Sequence, residues 1–125
     1  MIKLTYCIRR RADVDPEAFR RYWLENHAPL VAKHAEAIGA VRYVQSHTTD
    51  DATNDVLRAS RGAAEPYDGI TEVWWESPED LAAGLTTPEG EAASLALLED
   101  ERNFVDLEHS SLFMTDEHEI FDRRD

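Results

Sequence analysis

"YDGITEVWWESPEDL", Tyr67 to Leu81, holds a turn, a strand and the start of a helix in one continuous run. Asp68-Gly69 is a turn pair, and Ile70 to Glu76 has the β-branched and aromatic content of a strand. Ser77 then stands where a helix cap belongs, with Pro78 at the first helical position and Asp80 in a capping-box place. "EVWWE" sends Trp74 and Trp75 to opposite faces, because side chains alternate along a strand. A sheet with one face in water alternates more cleanly than this. The second face is therefore expected to be buried against another copy of the chain, in an isologous two-fold dimer.

Working outward, Ile2, Leu4, Tyr6 and Ile8 alternate with Lys3, Thr5, Cys7 and Arg9, which predicts a first strand. "DVDPEAF" opens a helix, with Asp15 as cap, Pro16 in the first turn and Glu17 at the positive end of the dipole. Phe19, Trp23, His27, Leu30, His34 and Ile38 share one side of it, and Gly39 is its stop. "AVRYVQSH" reads as a second strand. The polar segment from Thr48 to Pro66 is long for a connection, and "NDVLRASRG" within it fits one or two helical turns closed by Gly62. After the helix begun at Ser77 a second start, "TPEGE", follows at Thr87 and runs toward Arg102. "NFVDLEHSSLFM" and "HEIF" read as extended, with Phe104 and Leu112 on one side and Val105, Leu107 and Phe113 on the other. The order is β-α-β-β-α-β, an α+β ferredoxin-like sandwich with an antiparallel four-stranded sheet and both helices on one face.

The chain has 125 residues, the size of one domain spanning 1–125. Its net charge of −13 argues against nucleic acid and anionic membrane partners, which need clustered Lys and Arg. Cys7 is the one cysteine, so no internal disulfide and no thiolate metal site can form. The start lacks the basic-then-apolar order of a signal peptide, and no apolar run reaches membrane-spanning length, so a cytoplasmic location is expected. No metal motif, phosphate loop or nucleophile elbow is present, and no cofactor is expected.

Four stretches resemble the EthD family of the dimeric α+β barrel superfamily: "FRRYWLENHAPLV", "NDVLRASRG", "YDGITEVWWESPEDL" and "FVDLEHSSLFMTDEHEIF". They cover nearly the whole chain in the right order. The resemblance implies two ferredoxin-like protomers joined through their sheet faces, with a cavity between sheet and helices for a small organic ligand. It favours cofactor-independent chemistry of the isomerase, lyase or cyclase type on an aromatic, polyketide-like or lactone substrate. It leaves open a cofactor-free monooxygenase, and equally a non-catalytic binder or accessory protein for a hydrophobic metabolite.

His27 is the leading catalytic candidate, since its imidazole changes charge near neutrality. Pro29 removes a backbone donor, leaves the Glu25 carbonyl without its helical partner and disfavours helical geometry at Ala28. Histidine and break together could form a pocket wall; a buried structural histidine beside a harmless kink is the competing reading. Asp68, the second catalytic candidate, is either a turn-former or a carboxylate that orients His27 or a substrate hydroxyl. Tyr6, Trp23, Trp74 and His109 are candidate substrate-binding residues. His34, two turns beyond His27 and about 10 Å along the axis, is too far to share a metal with it.

Overall fold

A computed structural model of the chain describes residues 1–49 and 51–124. Strand β1 is Ile2–Ile8, β2 Arg42–His47, β3 Gly69–Trp75 and β4 Ser111–Thr115, and they form one antiparallel sheet in the order β2-β3-β1-β4. Helices α1 (Pro16–Tyr22) and α2 (Ala28–Ile38) follow β1, α3 (Ala52–Arg61) lies between β2 and β3, and α4 (Pro78–Thr86) and α5 (Pro88–Glu101) follow β3. This is the ferredoxin-like α+β arrangement expected from the element order.

The local signals act as anticipated. Asp15 accepts the Ala18 N–H at 3.0 Å, Ser77 the Asp80 N–H at 3.1 Å, and Thr87 the Gly90 N–H at 3.1 Å. Each cap precedes a proline in the first turn, where a missing N–H costs nothing. Gly39 and Gly62 close α2 and α3 with φ of 76° and 60°, a conformation that costs other residues steric strain.

Between α1 and α2 the chain does not break. Residues Trp23–His27 form one π-helical turn, and the Ala28 N–H reaches back to the Trp23 carbonyl. Ala28 keeps helical geometry at φ −58° and ψ −45°, contrary to the expectation of a kink there. The cause is the proline. Pro29 cannot donate, and its ring would collide with the carbonyl four residues back in an α-helix. Widening the preceding turn accommodates both constraints, and π turns of this kind gather at functional sites. The widened turn also shifts the apolar face, so that Val31 rather than Leu30 is buried.

Register settles which face each side chain takes. Leu4, Tyr6 and Ile8 of β1 share the helix-covered face with Thr71, Val73 and Trp75 of β3 and with Leu112 and Met114 of β4. Trp74 lies on the other face, where Arg42 stacks on its ring at 4.3 Å and Lys3 at 5.5 Å. Trp74 is thus covered by cations of its own chain, rather than left bare. The fourth strand is shorter than expected. Leu107–His109 form a 3-10 turn, and Phe104 and Val105 are both buried in the helix-side core instead of on opposite faces. "HEIF" has no regular structure. Phe19, Trp23 and Phe104 are fully buried and pack against Tyr6, Ile8 and Val105.

Candidate functional site

Between the sheet and the helices lies a cavity of about 460 Å³, within the range of small-molecule sites. Its walls are mostly apolar, with Leu4 and Val73 from the sheet, Val31 from α2, Leu81 and Leu85 from α4, and Leu97 from α5. His27, Tyr6, Tyr43, Thr71, Ser94 and Glu101 are the polar side chains that reach it.

His27 stands at the end of the π turn, buried, with its ring tilted against Phe104 at 5.1 Å. Its Nδ1–H donates to Asp100 Oδ2 at 2.7 Å. The other carboxylate oxygen of Asp100 accepts from the Tyr22 hydroxyl at 2.5 Å, and Asn103 Nδ2 donates to it at 3.4 Å. Asp100 therefore fixes the imidazole tautomer, leaving the lone pair of the neutral ring on Nε2. The nearest carboxylate oxygen to Nε2 is Glu101 Oε2, 4.0 Å away. Glu101 Oε1 accepts from the Tyr6 hydroxyl at 2.9 Å.

Burial and hydrogen bonding push these groups in different directions. Burial lowers the pKa of His27, and the Asp100 carboxylate only partly restores it, so the ring is neutral at pH 7. Burial works against the Asp100 anion, yet donation from Tyr22 and His27 holds its pKa below the ordinary value. Glu101 has less help. Burial pushes it up to about 7, the Tyr6 hydrogen bond pulls the other way, and the Asp100 charge adds to the rise. Two carboxylates at the C-terminal end of α5 also oppose the helix dipole, which favours cations there.

The structure brings His27, Tyr6 and Trp23 together on the cavity wall, as the sequence suggested. It does not bring Asp68 there. That carboxylate accepts the Arg10 N–H at 2.8 Å and faces the Arg10 guanidinium at 3.5 Å, tying the end of β1 to the β3 turn. Asp68 thus bonds the backbone of a distant strand end rather than that of its own turn, and Asp100 holds the place beside His27. Trp74 is displaced by strand alternation to the face away from the cavity, and Trp75 lines the cavity instead. His109 is exposed on the 3-10 turn, where Nδ1 pairs with Asp106 at 2.7 Å outside the cavity. His34 is half-buried, and among the described residues no cluster of His, Cys, Asp and Glu could hold a metal. Sequence reasoning missed Asp100 and Glu101. Their signal was the acidic run Glu99-Asp100-Glu101 at a helix end where basic residues are favoured.

Residues 11–108 match the EthD domain. Among solved structures, the fold is similar to an ethyl tert-butyl ether D family protein from Bacillus halodurans, at 19% identity and a TM-score of 0.60, over 94% of this chain and 100% of the other. A protein of Arabidopsis thaliana is similar at 15% identity and a TM-score of 0.60, over 97% of this chain and 99% of the other. HapK from Hahella chejuensis is similar at 12% identity and a TM-score of 0.57, over 100% of this chain and 99% of the other. At these identities the likeness is one of fold. No curated protein matches the sequence.

Proposed function

Since this chain belongs to the EthD family, we propose that it binds a small, mainly apolar organic molecule between sheet and helices and moves a proton beside a carbonyl of that molecule. His27 is the base. The observation that carries this reading is the imidazole itself, held by Asp100 at Nδ1 while Nε2 is left for a guest in an apolar cavity.

Each part of the arrangement suits a proton acceptor. Burial keeps the ring neutral, so its lone pair is available at neutral pH. Asp100 stabilises the imidazolium that forms when the proton arrives, and it prevents the ring from turning over. The largely apolar walls lower the local dielectric, which strengthens each of these interactions. Isomerisation, dehydration, decarboxylation and cyclisation of an aromatic, polyketide-like or lactone substrate all begin with such a transfer. The reading calls on no metal or cofactor. It includes a homodimer formed through the outer sheet faces. Among the described residues no helix is long and apolar enough to cross a membrane.

A second reading, a non-catalytic carrier for a hydrophobic metabolite, draws support from the near absence of polar groups over much of the cavity wall. One variant separates the two. His27→Ala should remain folded, retain binding of aromatic ligands measured by quenching of tryptophan fluorescence, and lose turnover by roughly 100-fold or more. Unchanged turnover would remove His27 as the base. Binding without turnover in the wild-type protein, across enolisable ligands, would favour the carrier.

A further inference from the structure

We propose that Glu101 is the acid that works opposite His27: its Oε2–H donates to the carbonyl oxygen of the guest while His27 Nε2 takes a proton from the adjacent carbon. The guest is then an enolisable ketone, ester or lactone. This rests on the reading of His27 as base and adds a second reacting group to it.

Geometry places Glu101 in that role. The Tyr6 hydroxyl donates to Oε1 at 2.9 Å, so a proton on this carboxyl belongs on Oε2. Oε2 is 4.0 Å from His27 Nε2, beyond hydrogen-bond range, so neither group is consumed by the other. A carbonyl oxygen and its α-carbon are roughly 2.4 Å apart from standard bond lengths. Two groups separated by 4.0 Å can therefore each meet one end of that unit. Both side chains line the same cavity. Burial, which pushes Glu101 up to about 7, keeps a share of it protonated at neutral pH, where an ordinary glutamate is an anion. The titratable groups around it are Tyr6 from β1, Asp100 on its own helix, His27 from the π turn and Tyr43 from β2.

The step balances. The α C–H bond breaks and its proton goes to Nε2. The electron pair left on carbon forms the C=C bond, the carbonyl π pair moves to oxygen, and that oxygen takes the Oε2 proton. An enol, an imidazolium and a carboxylate result. Return of the imidazolium proton to the same carbon, or to a conjugated one, together with return of the enol proton to Glu101, restores both groups. Tyr6 is a positioning residue, acting through Glu101.

The test follows deuterium incorporation from D2O into the α-positions of 2-tetralone by NMR, with binding followed by tryptophan quenching and folding by circular dichroism. The wild-type protein should accelerate exchange, and both His27→Ala and Glu101→Gln should slow it by roughly 100-fold with binding retained. Tyr6→Phe removes a hydrogen bond that holds the Glu101 pKa down, so the alkaline limb of the exchange profile should move to higher pH. Wild-type exchange in Glu101→Gln, with loss in His27→Ala, overturns the acid role and leaves the base intact. Exchange that survives His27→Ala, or bound tetralone that never exchanges, overturns the base reading and this inference with it. A titration of the Glu101 carboxyl carbon by NMR decides independently of any probe. A midpoint near 7 supports the acid role, and ordinary glutamate behaviour, fully ionised at neutrality, overturns it.

Discussion

Gly69 and Trp23 meet so closely that residue 69 has no room for a side chain: a Cβ there would stand 2.3 Å from Trp23 Cζ3 and 3.0 Å from the Ser46 carbonyl oxygen. His47 stacks on the same indole at 4.3 Å. The fully buried tryptophan thus touches both a strand start and a ring of β2. Gly69→Ala must displace the indole, at a cost of about 2 kcal/mol by the usual penalty for overpacking. Gly62→Ala is the contrast. Nothing lies within 4 Å of its Cβ position, so only left-handed backbone strain, about 1 kcal/mol, is at stake. Urea midpoints of the two variants should differ in that order, and near-UV dichroism should change only for Gly69→Ala.

Much of this architecture was legible because it depends on short-range rules. Caps at Asp15, Ser77 and Thr87, the stops at Gly39 and Gly62, and the strand alternation of Ile2 to Ile8 involve residues a few positions apart. That His27, Tyr6 and Trp23 face the helix-covered interior was legible from helical and strand periodicity, and the cavity they line there was implied by the family resemblance. Most of what failed depends on longer range. Asp68 and Asp100 are both carboxylates at element ends, and only tertiary packing decides which one meets a histidine 73 positions away in sequence. Trp74 and Trp75 were known to part, yet the face that holds the cavity is set by where the helices land. His109 fell with the fourth strand, because the extended reading of "NFVDLEHSSLFM" missed the Asp106 side chain capping a 3-10 turn.

The same burial that readies Glu101 for proton transfer should destabilise the fold at alkaline pH. Its folded pKa of about 7 lies above the ordinary 4.5. Its contribution to stability is therefore full below pH 4.5 and is lost as pH rises through 7. At 1.36 kcal/mol per pH unit, the loss by pH 8 amounts to about 3 kcal/mol. Gln in its place can still accept from Tyr6 but never ionises. Glu101→Gln should be more stable than the wild-type protein by up to about 3 kcal/mol at pH 8 and indistinguishable near pH 4. Urea unfolding at both pH values checks this, and equal stability at pH 8 would show that the native carboxylate is well solvated.

His27 contributes with the opposite sign. Its pKa is lowered in the fold by burial, so its share of stability is full above the ordinary 6.5 and is lost as pH falls through the folded value. His27→Phe should therefore remove the His27 share of the pH dependence below pH 6.5 in urea unfolding, leaving the opposing fall that Glu101 imposes between pH 4.5 and 7.

Asp100→Asn tests the tautomer. The amide can present an N–H toward Nδ1, which would move the ring proton to Nε2 and take the lone pair away from the cavity. Nitrogen chemical shifts of His27 should report that inversion, with proton-transfer activity down by roughly 100-fold or more. An unchanged tautomer with unchanged activity would mean that Asp100 is structural.

The outer sheet face carries the last prediction. Trp74 is already covered by Lys3 and Arg42, so an interface there cannot be built on it. The apolar residues left on that face include Phe113 opposite Thr5, Ile70 opposite Cys7, and Val44 opposite Glu72, with Phe113 and Ile70 each more than a third exposed. If the sheets of two copies meet, these residues are where they do so. Phe113→Asp would then place an unpaired charge against an apolar partner surface. Sedimentation equilibrium should find the wild-type chain dimeric at micromolar concentration and the variant weakened by roughly 100-fold, the scale of an interface hot spot. Because Phe113 points away from the cavity, its loss should leave the secondary structure and the His27–Asp100 pair intact. A wild-type chain that sediments as a monomer at micromolar concentration would remove the dimer.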